Sequence, residues 1–141
     1  MHRERQIIYR LDIRIMNSIT PKTVLVACDL QIFGKRFVDR LSTLQSVRLA
    51  SLMNNEEDTL RFVESEGTDV VVVDVHLENG RGIDLIRKVK RLKKPPVVIT
   101  VSTSMEQQYF RQSMKAGTDY YFQLPDDMDI MIGLLKNGVH C

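Results

Sequence analysis

The chain has 141 residues, 43% of them hydrophobic and 27% charged, with a formal net charge of +2. This is the size and balance of one globular domain with a core of its own, and the charge is too small to argue for nucleic acid or an anionic membrane surface. No apolar run approaches the roughly 20 residues that cross a bilayer. Arg3, Glu4, Arg5, Arg10, Asp12 and Arg14 break any signal-peptide core, and two cysteines, Cys28 and Cys141, make no disulfide framework, so a cytoplasmic location is expected.

Residues 1–21 form an extension outside the main pattern. In "YRLDIRI", Tyr9, Leu11, Ile13 and Ile15 alternate with Arg10, Asp12 and Arg14, which reads as a strand. Ile7, Leu11 and Ile15 would equally line one side of a helix. An added strand or helix is expected there, a candidate contact for a homodimer. Residues 22–141 form the main domain.

From Thr23 the aliphatic runs alternate with helical spacing. "TVLVAC" (23–28) is followed by Phe33, Phe37, Val38, Leu41 and Leu44 on one helical face. "VRLASLM" (47–53) and "DVVVVD" (69–74) are the next two runs, and Leu85, Ile86, Val89 and Leu92 mark the helix after them. The basic tract "RKVKRLKK" closes that helix, where cations offset the negative end of the dipole, and reads as a solvated helix end. "PVVITV" (96–101) precedes a helix carrying Phe110 and Met114, for which Thr103 or Ser104 offers a capping box with Glu106 or Gln107. "DYYF" (119–122) precedes the last helix, with Met131, Leu134 and Leu135 on one side and Asp126 and Asp127 at its positive end. The methionines and the Tyr120–Tyr121–Phe122 cluster read as core. The pattern is α/β: a parallel sheet covered by helices on both faces, its strands buried on both sides and therefore lacking polar alternation.

In such a sheet, ligands bind at the carboxyl ends of the strands. Those ends carry Cys28 and Asp29, Asp74, Ser102 and Thr103, and Leu124 and Pro125. Two carboxylates converging on one rim repel unless a cation or proton separates them, and Mg²⁺ takes such oxygen ligands together with phosphate oxygens. Asp74 is then a candidate phosphoryl acceptor. Cys28 reads as a small buried apolar residue, and the His76 ring as a solvated one.

Over residues 22–138 the chain resembles the receiver domains of two-component response regulators, the CheY-like superfamily, in "TVLVACD", "DVVVVDVHLENGRGIDL", "PVVITVSTS" and "KAGTDYYFQLP". The resemblance implies a flavodoxin-like, doubly wound (βα)5 fold with strand order 2-1-3-4-5. It implies phosphorylation of Asp74 by a histidine kinase or phosphotransfer protein, Mg²⁺ held by Asp29, Asp74 and the backbone carbonyl of His76, a hydroxyl at Ser102 and a switch aromatic at Tyr121. It also implies output through the fourth helix, fifth strand and fifth helix. The chain departs from the pattern at two positions. Cys28 replaces the first acid of the acidic pair, and Leu124 replaces the lysine that contacts the phosphoryl group. A neutral thiol is a poor ligand for Mg²⁺, and losing a charged partner costs about 1.5–3 kcal/mol. The alternative expectation is a phosphorylation-independent docking or dimerising module. An aspartate-nucleophile phosphatase is disfavoured because His76 stands where such enzymes carry a second acid. The sequence ends soon after the last helix, so any output module is expected elsewhere.

Overall fold

The computed structural model describes residues 21–137, apart from the side chains of residues 30–35. The extension at residues 1–20, the side chain of Phe33 and Cys141 lie outside the described residues. The elements are β1 (Lys22–Ala27), α1 (Leu30–Ser42), β2 (Val47–Met53), α2 (Glu56–Glu66), β3 (Val70–Asp74), α3 (Gly82–Lys90), β4 (Val97–Ser102), α4 (Gln107–Ala116), β5 (Tyr120–Gln123) and α5 (Met128–Asn137). A single turn, Leu77–Gly80, links β3 to α3.

All strand pairs are parallel and run in the order β2-β1-β3-β4-β5, the flavodoxin-like arrangement expected. Strand order therefore reverses between β1 and β3, which opens a crevice at their carboxyl ends. The valine run shows how two cores share one strand. Val70 and Val72 pack with Phe37, Leu41, Met131 and Leu135 beneath α1 and α5. Val71 and Val73 pack with Val63, Leu85, Ile86 and Val89 beneath α2 and α3. Asp74 ends this strand at the rim, where the crevice opens.

α4 departs from expectation. Phe110 and Met114 share a face, but each is 48% exposed, and Met105 is 80% exposed. The inner face is Ser113 and Ala116, both buried, because small side chains let the helix lie close to the sheet. No capping box forms. Ser104 Oγ accepts from the amide of Glu106 at 3.2 Å and so serves the turn before the helix.

The basic tract is divided by its partners. Arg87 bonds Asp84 at 2.7 Å, Lys88 bonds Glu56 at 3.1 Å and Lys90 bonds Asp119 at 2.8 Å. Arg91, Lys93 and Lys94 are exposed. Among the described residues no helix is long and apolar enough to cross a membrane.

Candidate functional site

β3 delivers Asp74 to the rim as a buried side chain, 1% exposed. Its Oδ1 accepts from the backbone amide of His76 at 2.9 Å. Its Oδ2 is buried with no hydrogen-bond partner among the described residues. Burial pushes the carboxyl pKa above its ordinary value; the His76 amide and the His76 charge oppose this, and the charge of Asp29 adds to it. Cys28, at the end of β1, is pushed up to about 12 by burial, with Asp74 and Asp29 contributing. The thiol is therefore neutral at physiological pH and acts as a packed apolar group. These interactions place Cys28, Asp29 and Asp74 in one electrostatic neighbourhood.

β4 supplies the hydroxyl. Asp74 is in register with Val101, and the Val75 amide donates to the Val101 carbonyl at 3.1 Å, so Ser102 follows directly on the strand beside Asp74. Ser102 is fully buried. Its Oγ accepts from the Ser104 amide at 3.0 Å and donates over a long 3.3 Å to the Ser104 carbonyl. On β5, Tyr121 is half-buried. Burial raises its hydroxyl pKa, a hydrogen bond with Ser102 opposes that, and Tyr109 adds to it. The Tyr121 ring meets Phe110 edge-on with centroids 5.3 Å apart.

Leu124 donates its amide to the Ser102 carbonyl at 2.8 Å and precedes Pro125 through a cis peptide bond. Its side chain is only 3% exposed and belongs to the core beneath α1 and α5, so no cation stands there.

The loop after β3 is held from two directions. Gly82, at the start of α3, comes so close to β3 that a Cβ would stand 2.2 Å from the Asp74 carbonyl oxygen and 2.7 Å from Val75 Cα. Only glycine fits there. In the preceding turn Glu78, Asn79 and Gly80 have φ of 50°, 60° and 96°, the left-handed region that costs non-glycine residues energy. Glu78 Oε1 accepts from the Glu56 amide at 2.9 Å and thereby fastens this strained turn to the start of α2. The Glu78 contact was not legible in the sequence, since nothing in the order of residues pairs it with Glu56.

A cleft of about 580 Å³ opens above the rim, lined by Asp29, Asn54, His76, Tyr109 and the Glu78–Gly80 turn. The His76 ring is not freely solvated, as its sequence context suggested. It is half-buried and meets the Tyr109 ring edge-on, with centroids 4.8 Å apart and planes at 74°. Asp29 and His76 reach the cleft wall; Asp74, Ser102 and Tyr121 do not line it.

The oxygen donors here are the Asp29 carboxylate, Asp74 Oδ2 and the His76 carbonyl, which accepts only a long 3.4 Å bond from the Gly80 amide. No group of three or more His, Cys, Asp and Glu side chains able to hold a metal occurs among the described residues. Two carboxylates and a carbonyl nevertheless fit Mg²⁺, which keeps waters and binds with phosphate oxygens, and the orphaned Oδ2 is the atom such a cation would satisfy.

Comparison with known proteins agrees with the fold. A sequence model of the response regulator receiver domain matches residues 24–135. The chain is 36% identical over 59 residues to the sensory transduction protein LytR of Staphylococcus haemolyticus, covering 42% of this chain and 23% of that protein. It is 23% identical over 93 residues to the probable C4-dicarboxylate response regulator DctR of Bacillus subtilis, covering 66% of this chain and 41% of that protein. The matched region thus spans less than half of each of these relatives. Among solved structures, a LuxR-family DNA-binding response regulator from Staphylococcus aureus superposes with a TM-score of 0.73 at 16% identity, over 83% of this chain and 99% of that one. The receiver domain of the NarL response regulator from Mycobacterium tuberculosis gives 0.73 at 18% identity, over 82% and 93%.

Proposed function

The chain belongs to the response regulator receiver domain family, and from that membership we propose that Asp74 accepts a phosphoryl group from a phosphohistidine on a histidine kinase or phosphotransfer protein. The observation that carries this is the unpartnered Asp74 Oδ2, buried at a strand end within the field of Asp29. A buried acceptor oxygen without a partner is costly, and a protein that needed only a strand terminator would not retain it.

In the transfer, Oδ2 attacks phosphorus. The new O–P bond forms an acyl phosphate as the P–N bond of the donor breaks, and its electron pair stays on the imidazole nitrogen. The donor ring leaves neutral when its other nitrogen carries a proton. Asp29, Asp74 and the His76 carbonyl are the residues that would hold Mg²⁺, whose charge offsets that of the phosphoryl oxygens. Ser102 exchanges its long bond to the Ser104 carbonyl for one to a phosphoryl oxygen. Tyr121, whose hydroxyl is influenced by Ser102, responds to that exchange. With Leu124 in place of a cation and Cys28 neutral, the acyl phosphate is held by fewer charges than is usual in this family.

Signalling then requires that the phosphorylated pocket favour one of two conformations. Phe110 and Met114 on α4 are exposed apolar side chains, and the Phe110 ring meets Tyr121; this is the face through which a partner or second copy would read that change. Incubation with acetyl phosphate and Mg²⁺ followed by intact mass tests the proposal. One added phosphoryl group is expected, absent without Mg²⁺ and absent from Asp74→Asn. No adduct would instead support a docking module that works without phosphorylation, the reading favoured by the packed Leu124.

A further inference from the structure

We propose that the ring pair formed by His76 and Tyr109 governs which phosphoryl donors reach Asp74, with Tyr109 the access-determining residue. The inference rests on the assignment of Asp74 as acceptor. Its starting point is a mismatch: Asp29 and His76 line an open cleft of about 580 Å³, yet Asp74, bonded to the His76 amide, is 1% exposed and does not reach the cleft surface. Something covers it.

The other cleft residues, Asn54, Glu78, Asn79 and Gly80, are exposed. His76 and Tyr109 are half-buried rings brought from separate elements. His76 comes from the loop after β3, its amide already bonded to the Asp74 carboxylate. Tyr109 comes from the first turn of α4, where its amide is bonded to the Glu106 carbonyl at 3.2 Å. The rings meet edge-on in the cleft wall. In-line attack needs the donor phosphorus against Oδ2, so the pair must part before transfer. A single edge-to-face contact is weak enough to open thermally, and it penalises entry rather than forbidding it. The cover excludes water from the acceptor between turnovers and makes the ring at position 109 a filter on donor size.

The full-length chain carrying Tyr109→Ala or Tyr109→Phe tests this in two ways. With saturating Mg²⁺ and acetyl phosphate, the initial rate of phosphorylation should rise roughly two- to tenfold for Tyr109→Ala, the range a lost ring contact allows, and stay unchanged for Tyr109→Phe. The second readout needs no phosphorylation. In a chain with Asp74→Cys, Cys28→Ala and Cys141→Ser, the rate at which methyl methanethiosulfonate modifies the thiol at position 74 should rise by a similar factor on adding either Tyr109→Ala or His76→Ala. A thiol rate indifferent to both substitutions overturns the gate, whatever the phosphorylation result. A thiol rate that rises in a protein taking up no phosphoryl group upholds the gate and removes only the acceptor assignment.

Discussion

The amide of His76 donates to Oδ1 of Asp74 at 2.9 Å, and this bond leaves the other carboxylate oxygen buried and unmatched. One half of the side chain is thus anchored by its own loop, and the other half has no hydrogen-bond partner among the described residues. The energetic consequences can be measured separately from any phosphorylation.

The first concerns pH. Burial raises the Asp74 pKa in the folded protein above its ordinary value of 3.8, so the folded state binds a proton more tightly than the unfolded chain. By linkage, the charged carboxylate destabilises the metal-free fold above the raised pKa, and that penalty disappears as pH falls toward 3.8. Asp74→Asn is therefore expected to raise stability at pH 7 in EDTA by roughly 1–3 kcal/mol, the cost of an unmatched buried group. Urea unfolding of both proteins across the acid range checks this. A gain that grows on acidification contradicts it.

Gly82→Ala should be among the most damaging small substitutions. Its Cβ would collide with the carbonyl of Asp74 and with Val75, both backbone, so neither neighbour can move aside cheaply. A loss of about 2 kcal/mol or more is expected from overpacking, with altered Mg²⁺ affinity, since the displaced backbone carries Asp74. Urea denaturation and calorimetric Mg²⁺ titration measure the two effects.

Glu78→Ala removes the acceptor for the Glu56 amide and should cost about 0.5–2 kcal/mol, the usual range for a lost helix cap. Glu78→Gln keeps the carbonyl acceptor and should stay near the parent. Hydrogen exchange at the Glu56 amide reports the difference, fast in the alanine variant and slow in the glutamine variant.

Cys28→Asp restores a second acid at the end of β1. The added carboxylate would lie beside Asp29 and Asp74 in a position now 2% exposed. Lower metal-free stability, by about 2 kcal/mol or more, is expected together with tighter Mg²⁺ binding. Thermal unfolding with EDTA and with excess Mg²⁺ separates the two: the variant should melt below the parent in the first and recover in the second.

What was legible in the sequence is what depends on short-range pattern. Val70–Val73 reads as a strand buried on both faces, and both cores meet on it. Asp29, Asp74 and Ser102 sit at strand ends, and the rule for parallel sheets brings strand ends to one rim. Phe110 and Met114 show the limit of such reading. Spacing of four says that two residues share a face, not which way it points, and here Ser113 and Ala116 won the inner face because they are small. The contacts that shape the site are longer in range. Glu78 caps a helix that begins 22 residues earlier, and His76, on the loop after β3, meets Tyr109 on α4. No local pattern encodes such pairs; they join residues that the fold brings together from separate elements.

The central claim is that Asp74 is the atom-level destination of the phosphoryl group. Borohydride reduction after treatment with acetyl phosphate and Mg²⁺, followed by peptide mass mapping, tests it most directly, because reduction converts an aspartyl phosphate to homoserine at the modified position. Homoserine at position 74, lost when Mg²⁺ is withheld, is the expected result. Conversion at Asp29 or another carboxylate, or none at position 74 in a protein that takes up phosphoryl groups, would contradict it.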